Sequence, residues 1–149
     1  MTLRDFRIRS ATVADLGAVE ALVTAAGLPT DGIADHFGEG YAIAEGEGAA
    51  IGTTGVEVYG ASGLLRSAAV DAGWRGSGVG DALTRDRLRW AASRGLREVW
   101  LLTTTAADYF PRFGFERVDR NTAPTLVQQS MQFSQTCCAT AVAMRLILS

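Results

Sequence analysis

The chain has 149 residues, 48% of them hydrophobic and 20% charged, with a net charge of −2. This suits one folded domain spanning 1–149 and excludes wholesale disorder. All 14 basic residues are arginine, which leaves no Schiff-base or Walker-type lysine, and the slightly acidic balance argues against nucleic acid or an anionic membrane as partner. One histidine, His36, and two adjacent cysteines, Cys137 and Cys138, make neither a multi-histidine metal site nor a disulfide framework. No apolar run reaches the ~18 residues of a membrane span. The charged start MTLRDFRIRS has no apolar signal core, so a cytoplasmic protein is expected.

Residues 6–11 alternate and read as a first strand. Thr12-Val13-Ala14-Asp15 then has capping-box spacing with Asp in place of Glu. Leu16, Val19, Val23 and Ala26 recur at helical spacing until Gly27-Leu28-Pro29 stops the helix, and a short helical or irregular stretch is expected over 32–37. Three strand-like runs follow, 41–45, 51–59 and 64–70, separated by glycine-rich turns in the manner of an antiparallel meander. The period changes to helical over 79–93, with Arg87 a misfit inside the apolar arc, and Gly95 ends the helix. Residues 98–104 read as a buried strand, 106–113 as a short helix, 115–119 as a strand, 124–133 as a helix and 139–148 as the last strand. This order predicts a mixed α/β fold with a largely antiparallel central sheet of six to seven strands and flanking helices.

The segment that carries chemistry is LLRSAAVDAGWRGSGVG, residues 64–80, in which a strand ends and Arg75-Gly76-Ser77-Gly78-Val79-Gly80 opens a long helix. Glycines let the backbone approach a phosphate closely, and the free N–H groups of a helix start point at it with the positive end of the dipole behind them. A glycine loop with no ligand is the plain alternative. The Rossmann spacing G-x-G-x-x-G is absent, and the strands upstream read as antiparallel, so dinucleotide binding does not fit.

On the 51–59 strand, Val56 and Val58 face one side and Glu57 and Tyr59 the other. An amine of pKa ~10.4 is protonated at neutral pH, so Glu57 is the candidate general base, with a solvated strand face as the alternative. Arg66 suits a bidentate clamp on an acceptor carboxylate or an ordinary surface position, and Tyr59 joins it on the substrate side. At the start of a strand Cys137 and Cys138 face opposite sides, so buried small side chains are expected rather than a chelating pair. His36 is expected to be structural or exposed.

The arrangement R-x-x-G-x-G, with Arg75, Gly78 and Gly80 between a strand and a long helix, resembles the acetyl-CoA signature of the GNAT superfamily of N-acetyltransferases. TVADLGAVEALV resembles that family's first helix, and YFPRFGF its fourth helix running into "GF". LLRSAAV, WLLTTTA and FSQTCCATAVAM are similar to a branch associated with arsenic resistance and related to short N-acetylglutamate synthases.

The resemblance implies a GNAT fold and an acetyl-CoA-dependent N-acetyltransferase. Its acceptor would be the amine of a small amino-acid-like molecule, attacking directly in a ternary complex without a metal, and a homodimer is left open. It implies further that the amides of Arg75, Gly76, Ser77, Gly78, Val79 and Gly80 take the pyrophosphate. Ala68 to Val70 would pair with the pantetheine arm, with the Val70 N–H as oxyanion donor. Thr103, Thr104 and Thr105 would flank the acetyl group. The family's usual acid, a Tyr four residues before the Gly of "GF", is Phe110 here. Tyr109 is its neighbour, and one residue is ~100° of helical rotation, so Tyr109 is expected to point elsewhere. Loss of the acid favours the alternative of a catalytically weak acyl-CoA-binding regulatory or interaction module.

Overall fold

The computed structural model describes residues 5–130 and 141–148. Its strands are β1 (Arg7–Ser10), β2 (Tyr41–Gly46), β3 (Ala49–Tyr59), β4 (Ser62–Val70), β5 (Glu98–Thr103), β6 (Glu116–Val118) and β7 (Val142–Ile147). Its α-helices are α1 (Leu16–Ala25), α2 (Ile33–His36), α3 (Val79–Ser93) and α4 (Thr125–Gln128). The strands form one seven-stranded sheet in the order β1-β2-β3-β4-β5-β7-β6. Hairpin turns join β2 to β3 and β3 to β4, so these pairs are antiparallel. Only β4 and β5 run parallel, because the connection between them is long enough to hold α3. The expected mixed α/β fold with a largely antiparallel sheet is the fold observed.

Strand alternation sends neighbouring β2 side chains to opposite faces. Tyr41 and Ile43 pack with Val19 and Val23 of α1 and with Ile33 of α2. Ala42 and Ala44 pack with Val79 and Leu83 of α3 and with Trp74. A further cluster joins Val56, Leu65, Ala91, Leu101, Phe110, Phe115 and Met144 beneath the C-terminal half of α3. Helices therefore cover both faces, and α3 is held with its first turn over the end of β4.

The misfit at Arg87 has a cause. Its guanidinium, 3% exposed, donates from Nη1 to the Glu39 carbonyl at 2.7 Å and pairs through Nη2 with Asp86 at 2.7 Å. It also lies 5.3 Å from the Trp90 ring centroid, so its charge is compensated inside the apolar arc.

Pro111 sits in the 106–113 segment, which forms a 3-10 turn over Phe110–Phe113 rather than an α-helix. The helix predicted over 124–133 is α4 and ends at Gln128; residues 131–133 lie outside the described residues, as do Cys137, Cys138 and the start of the predicted last strand. Among the described residues, no helix is long and apolar enough to cross a membrane. No cluster of three or more His, Cys, Asp and Glu there could hold a metal ion.

Near the N-terminus, the Asp15 carboxylate accepts from the Thr12 N–H at 2.7 Å and from both Arg9 terminal nitrogens at 2.8 Å. The Arg9 hydrogen bonds hold the Asp15 carboxyl well below the usual carboxylate range. A depressed carboxyl stabilises the fold above its unfolded pKa of ~3.9 and loses that contribution as pH falls through the folded value. Thermal melts should therefore show the largest deficit for Asp15→Asn near neutral pH, shrinking below pH ~4. A deficit independent of pH would contradict this account of the pair.

Candidate active site

β4 and β5 are paired only at Ser62–Glu98, Gly63–Val99 and Leu64–Trp100, after which the strands diverge. A cavity of about 790 Å³ opens in the gap, lined by β4 from Leu65 to Val70, by Leu101 to Thr103 of β5 and by the first turn of α3. The divergence has a local origin in β4. Thr53 pairs with Ala69 and Gly55 with Arg66, so Ser67 and Ala68 together oppose Thr54 in a bulge, and Ser67 takes a left-handed φ of 62°. The Asp71 N–H donates to the Ile51 carbonyl at 2.8 Å. Alternation along the strand turns the preceding N–H, that of Val70, away from β3 and toward the gap.

At the far end of the gap, Gly76 and Gly78 are left-handed, with φ of 82° and 84°, and a side chain built on either would meet open space. The first intrahelical bond of α3 runs from Ala82 N–H to the Gly78 carbonyl at 3.1 Å. The N–H groups of Gly78, Val79, Gly80 and Asp81 thus have no intrahelical acceptor, the arrangement an anion cradle at a helix start would need. Two of the six expected cradle amides are engaged elsewhere: Arg75 N–H donates to Ala72 O at 3.4 Å and Ser77 N–H to Trp74 O at 3.2 Å. Of the six, Arg75 and Ser77 are therefore the two whose N–H groups are turned into the loop itself. Trp74, buried beneath the loop against Gly46, anchors its base.

Of the residues singled out from sequence, Ala68, Val70, Arg75, Gly76, Gly78, Val79, Gly80 and Arg66 line the cavity. Ser77, Thr104, Glu57 and Tyr59 are not among the lining residues. At the end of β5 it is Thr103, and Thr105 in the bend that follows, that line the cavity. The Thr103 hydroxyl oxygen accepts from the Ala106 N–H at 2.9 Å and caps that turn.

Glu57 is neither a solvated carboxylate nor a base facing the cavity. Its side chain is 0% exposed, its Oε1 accepts from the Tyr59 hydroxyl at 2.6 Å, and its Oε2 pairs with Arg66 Nη1 at 3.2 Å. Burial first, and then the bond to Glu57, push the Tyr59 phenol well above its ordinary pKa. Arg66 is correspondingly no open clamp. Four of its five N–H groups donate within the protein: to Ser67 Oγ, to Glu57, and to the carbonyls of Asp31 and Pro29.

Sequence reasoning missed Tyr109. It lines the cavity, its hydroxyl donates to Asp81 Oδ1 at 2.6 Å, and Arg112 lies 4.4 Å from its ring centroid. Its hydroxyl and Val70 Cγ2 both flank the Gly80 Cα, where an added Cβ would meet them at 3.5 and 3.7 Å. Tyr109 is the residue before a 3-10 turn, outside any α-helix, so α-helical rotation does not set its direction. Pro111 was the available signal. Burial, and next the bond to Asp81, push the Tyr109 phenol up to about 12, so it holds its proton throughout the neutral range. Among the described residues lining the cavity, Asp81 is the sole carboxylate.

Residues 37–117, more than half of the chain, match the model of the acetyltransferase (GNAT) domain. No curated protein sequence matches the chain. Among solved structures, the fold is similar to Rv2747 from Mycobacterium tuberculosis in complex with CoA and NLQ, with a TM-score of 0.81 at 20% identity, covering 96% of this chain and 99% of that one. It is also similar to N-acetylglutamate synthase from Neisseria gonorrhoeae complexed with coenzyme A and N-acetyl-glutamate, with a TM-score of 0.81 at 18% identity; the match covers 97% of this chain but 35% of that one. The ribosomal-protein-S18-alanine N-acetyltransferase from Escherichia coli gives a TM-score of 0.76 at 22% identity, with 97% and 95% covered.

Proposed function

The chain belongs to the GNAT family of acetyltransferases, and on that footing we propose that it moves an acetyl group from acetyl-CoA to the amine of a small amino-acid-like acceptor. The observation that carries the reading is the continuity of one cavity from the glycine cradle of α3, past the inward-turned Val70 N–H, to the loop that follows α1. A cradle whose two left-handed glycines leave room for a phosphate, beside free helix N–H groups, fits a pyrophosphate. Acetyl-CoA supplies the activated thioester.

In this reading Gly78 to Asp81 hold the pyrophosphate through their N–H groups, with Arg75 and Arg112 at the cavity edge. The Val70 N–H stabilises charge developing on the thioester oxygen, a contribution worth ~10²-fold or more in rate. Tyr109 holds a proton beside Val70 and Gly80, where the departing sulfur gains charge. Thr103 and Thr105 flank the acetyl group. A phenol in the cavity removes the main support for a module without catalysis, which rested on Phe110.

No carboxylate is proposed as direct base. Asp81 is engaged by Tyr109, and residues 131–140 contain no Asp, Glu or His. The acceptor amine would enter in its neutral form, so the acceptor kcat/KM should rise about tenfold per pH unit below the amine's own pKa. The proposal includes a single domain over 1–149 and a cytoplasmic setting. The proposal extends to the arsenic-resistance branch, whose resemblance rests, among the described residues, on LLRSAAV and WLLTTTA. Its third segment lies mostly outside them.

The test is release of free thiol from acetyl-CoA across a panel of amino acids and other small amines. Amine-dependent release with amino-acid acceptors is expected. Tight acetyl-CoA binding without release for any amine would overturn the enzymatic reading in favour of the module.

A further inference from the structure

Among the described residues, the Glu57–Arg66 pair is the one whose two side chains are both almost fully buried, at 0% and 2% exposure. It takes no part in the chemistry just described. What it grips is the loop of residues 26–32 between α1 and α2. Arg66 Nη1 donates to the Asp31 carbonyl at 2.7 Å and Nη2 to the Pro29 carbonyl at 3.2 Å. Ala26, Leu28 and Pro29 of that loop line the cavity, away from the α3 cradle. The loop is bounded by the left-handed glycines Gly27 and Gly32, and its backbone bonds at Leu28 and Ile33 stay local, to Val23 and Thr30. The Arg66 fork therefore supplies the hydrogen bonds from the sheet to Pro29 and Asp31 of the loop.

We propose that Glu57, Arg66 and Tyr59 form a buried latch that fixes the 26–32 loop as the acceptor wall of the cavity, so that these residues position the acceptor without touching the reacting atoms. The word acceptor rests on the acetyltransferase reading; the latch does not.

The charge arithmetic requires all three residues. Two loop carbonyls alone would leave a buried guanidinium uncompensated, which is costly; Glu57 supplies the opposite charge. The Tyr59 hydroxyl occupies the carboxylate oxygen that Arg66 does not reach, so neither oxygen is buried without a donor. The Tyr59 ring lies 5.6 Å from the ring of His36 in α2, which extends the grip to the element following the loop.

Glu57→Gln keeps the shape and much of the hydrogen bonding but removes the charge that holds Arg66 in place. The acceptor KM should rise about tenfold, the size of one weakened charged hydrogen bond. kcat and the acetyl-CoA KM should stay within about twofold. In the protein without substrates, amide exchange should accelerate about tenfold over residues 28–33 and stay unchanged over 41–44. Arg66→Lys keeps the charge but loses the fork, and should give the same pattern. Tyr59→Phe, the mildest change, should give a smaller effect on the same amides.

A fall in kcat on the order of 10²-fold that recovers at high pH would overturn the latch and make Glu57 a base. Equal rises in both KM values, or faster exchange throughout the sheet, would reduce the cluster to general stability. Exchange is read without turnover. A wild type that acetylates no amine thus overturns the acetyltransferase reading while the latch stands or falls on its own amides.

Discussion

Gly78→Val should lower acetyl-CoA affinity at least ~100-fold by calorimetry, because a branched side chain would stand where a phosphate must approach the helix N–H groups. Position 78 also has a φ of 84°, which a β-branched residue adopts only with strain, so some loss of stability accompanies the change. Gly95→Val separates the two effects. Gly95 has a φ of 78° and open space beside it, just past the other end of α3. It should cost similar stability and leave acetyl-CoA affinity unchanged. Equal losses of affinity in both variants would mean that strain, and not the cradle, sets binding.

Tyr109→Phe should lower kcat on the order of 10²-fold with the acetyl-CoA KM changed little, since a phenol acting on the leaving sulfur contributes only as charge develops there. The phenol is pushed up to about 12 by burial and by its bond to Asp81. The sign follows: the proton-bearing form is present below that value, so wild-type kcat should show no decline owed to Tyr109 before its ordinary pKa of ~10 is passed. Phe110→Tyr in the Tyr109→Phe background asks whether the neighbouring position can substitute. Phe110 is buried among Phe113 and Phe115, and an added hydroxyl there would need a partner. A Tyr109→Phe enzyme with wild-type kcat would remove Tyr109 from the chemistry.

The antiparallel meander and the long helix after a glycine-rich loop were legible because both are written in local signals. Period two over 41–70, period 3.6 over 79–93 and the glycines at 76, 78 and 80 each act within one element. What escaped the sequence depends on what covers a face. Alternation along β3 correctly put Glu57 and Tyr59 on one side, but nothing in positions 51–59 tells that the loop at 26–32 and the arginine at 66 close over it. A residue that alternation leaves on a polar face was thus read as open to solvent or substrate, when two distant segments bury it. Arg87 posed the same problem and had the same answer, a carbonyl at Glu39 and an aromatic ring from Trp90. Thr104 lies in the bend after β5, where strand alternation no longer tells which residue lines the cavity. Tyr109 was misplaced because α-helical rotation does not hold at the residue that starts a 3-10 turn.

The central claim, that one cavity runs from the α3 cradle to the end of β4 and takes acetyl-CoA along it, is tested most directly by a backbone-amide NMR titration of the wild-type protein with acetyl-CoA. The largest shifts should fall on Gly78 to Asp81 and on Val70, with smaller ones at Ala68 and Thr103. β1 and the β6–β7 edge should stay unmoved. Saturable binding that leaves Gly78 to Asp81 and Val70 unshifted, or no binding at all, would contradict the account.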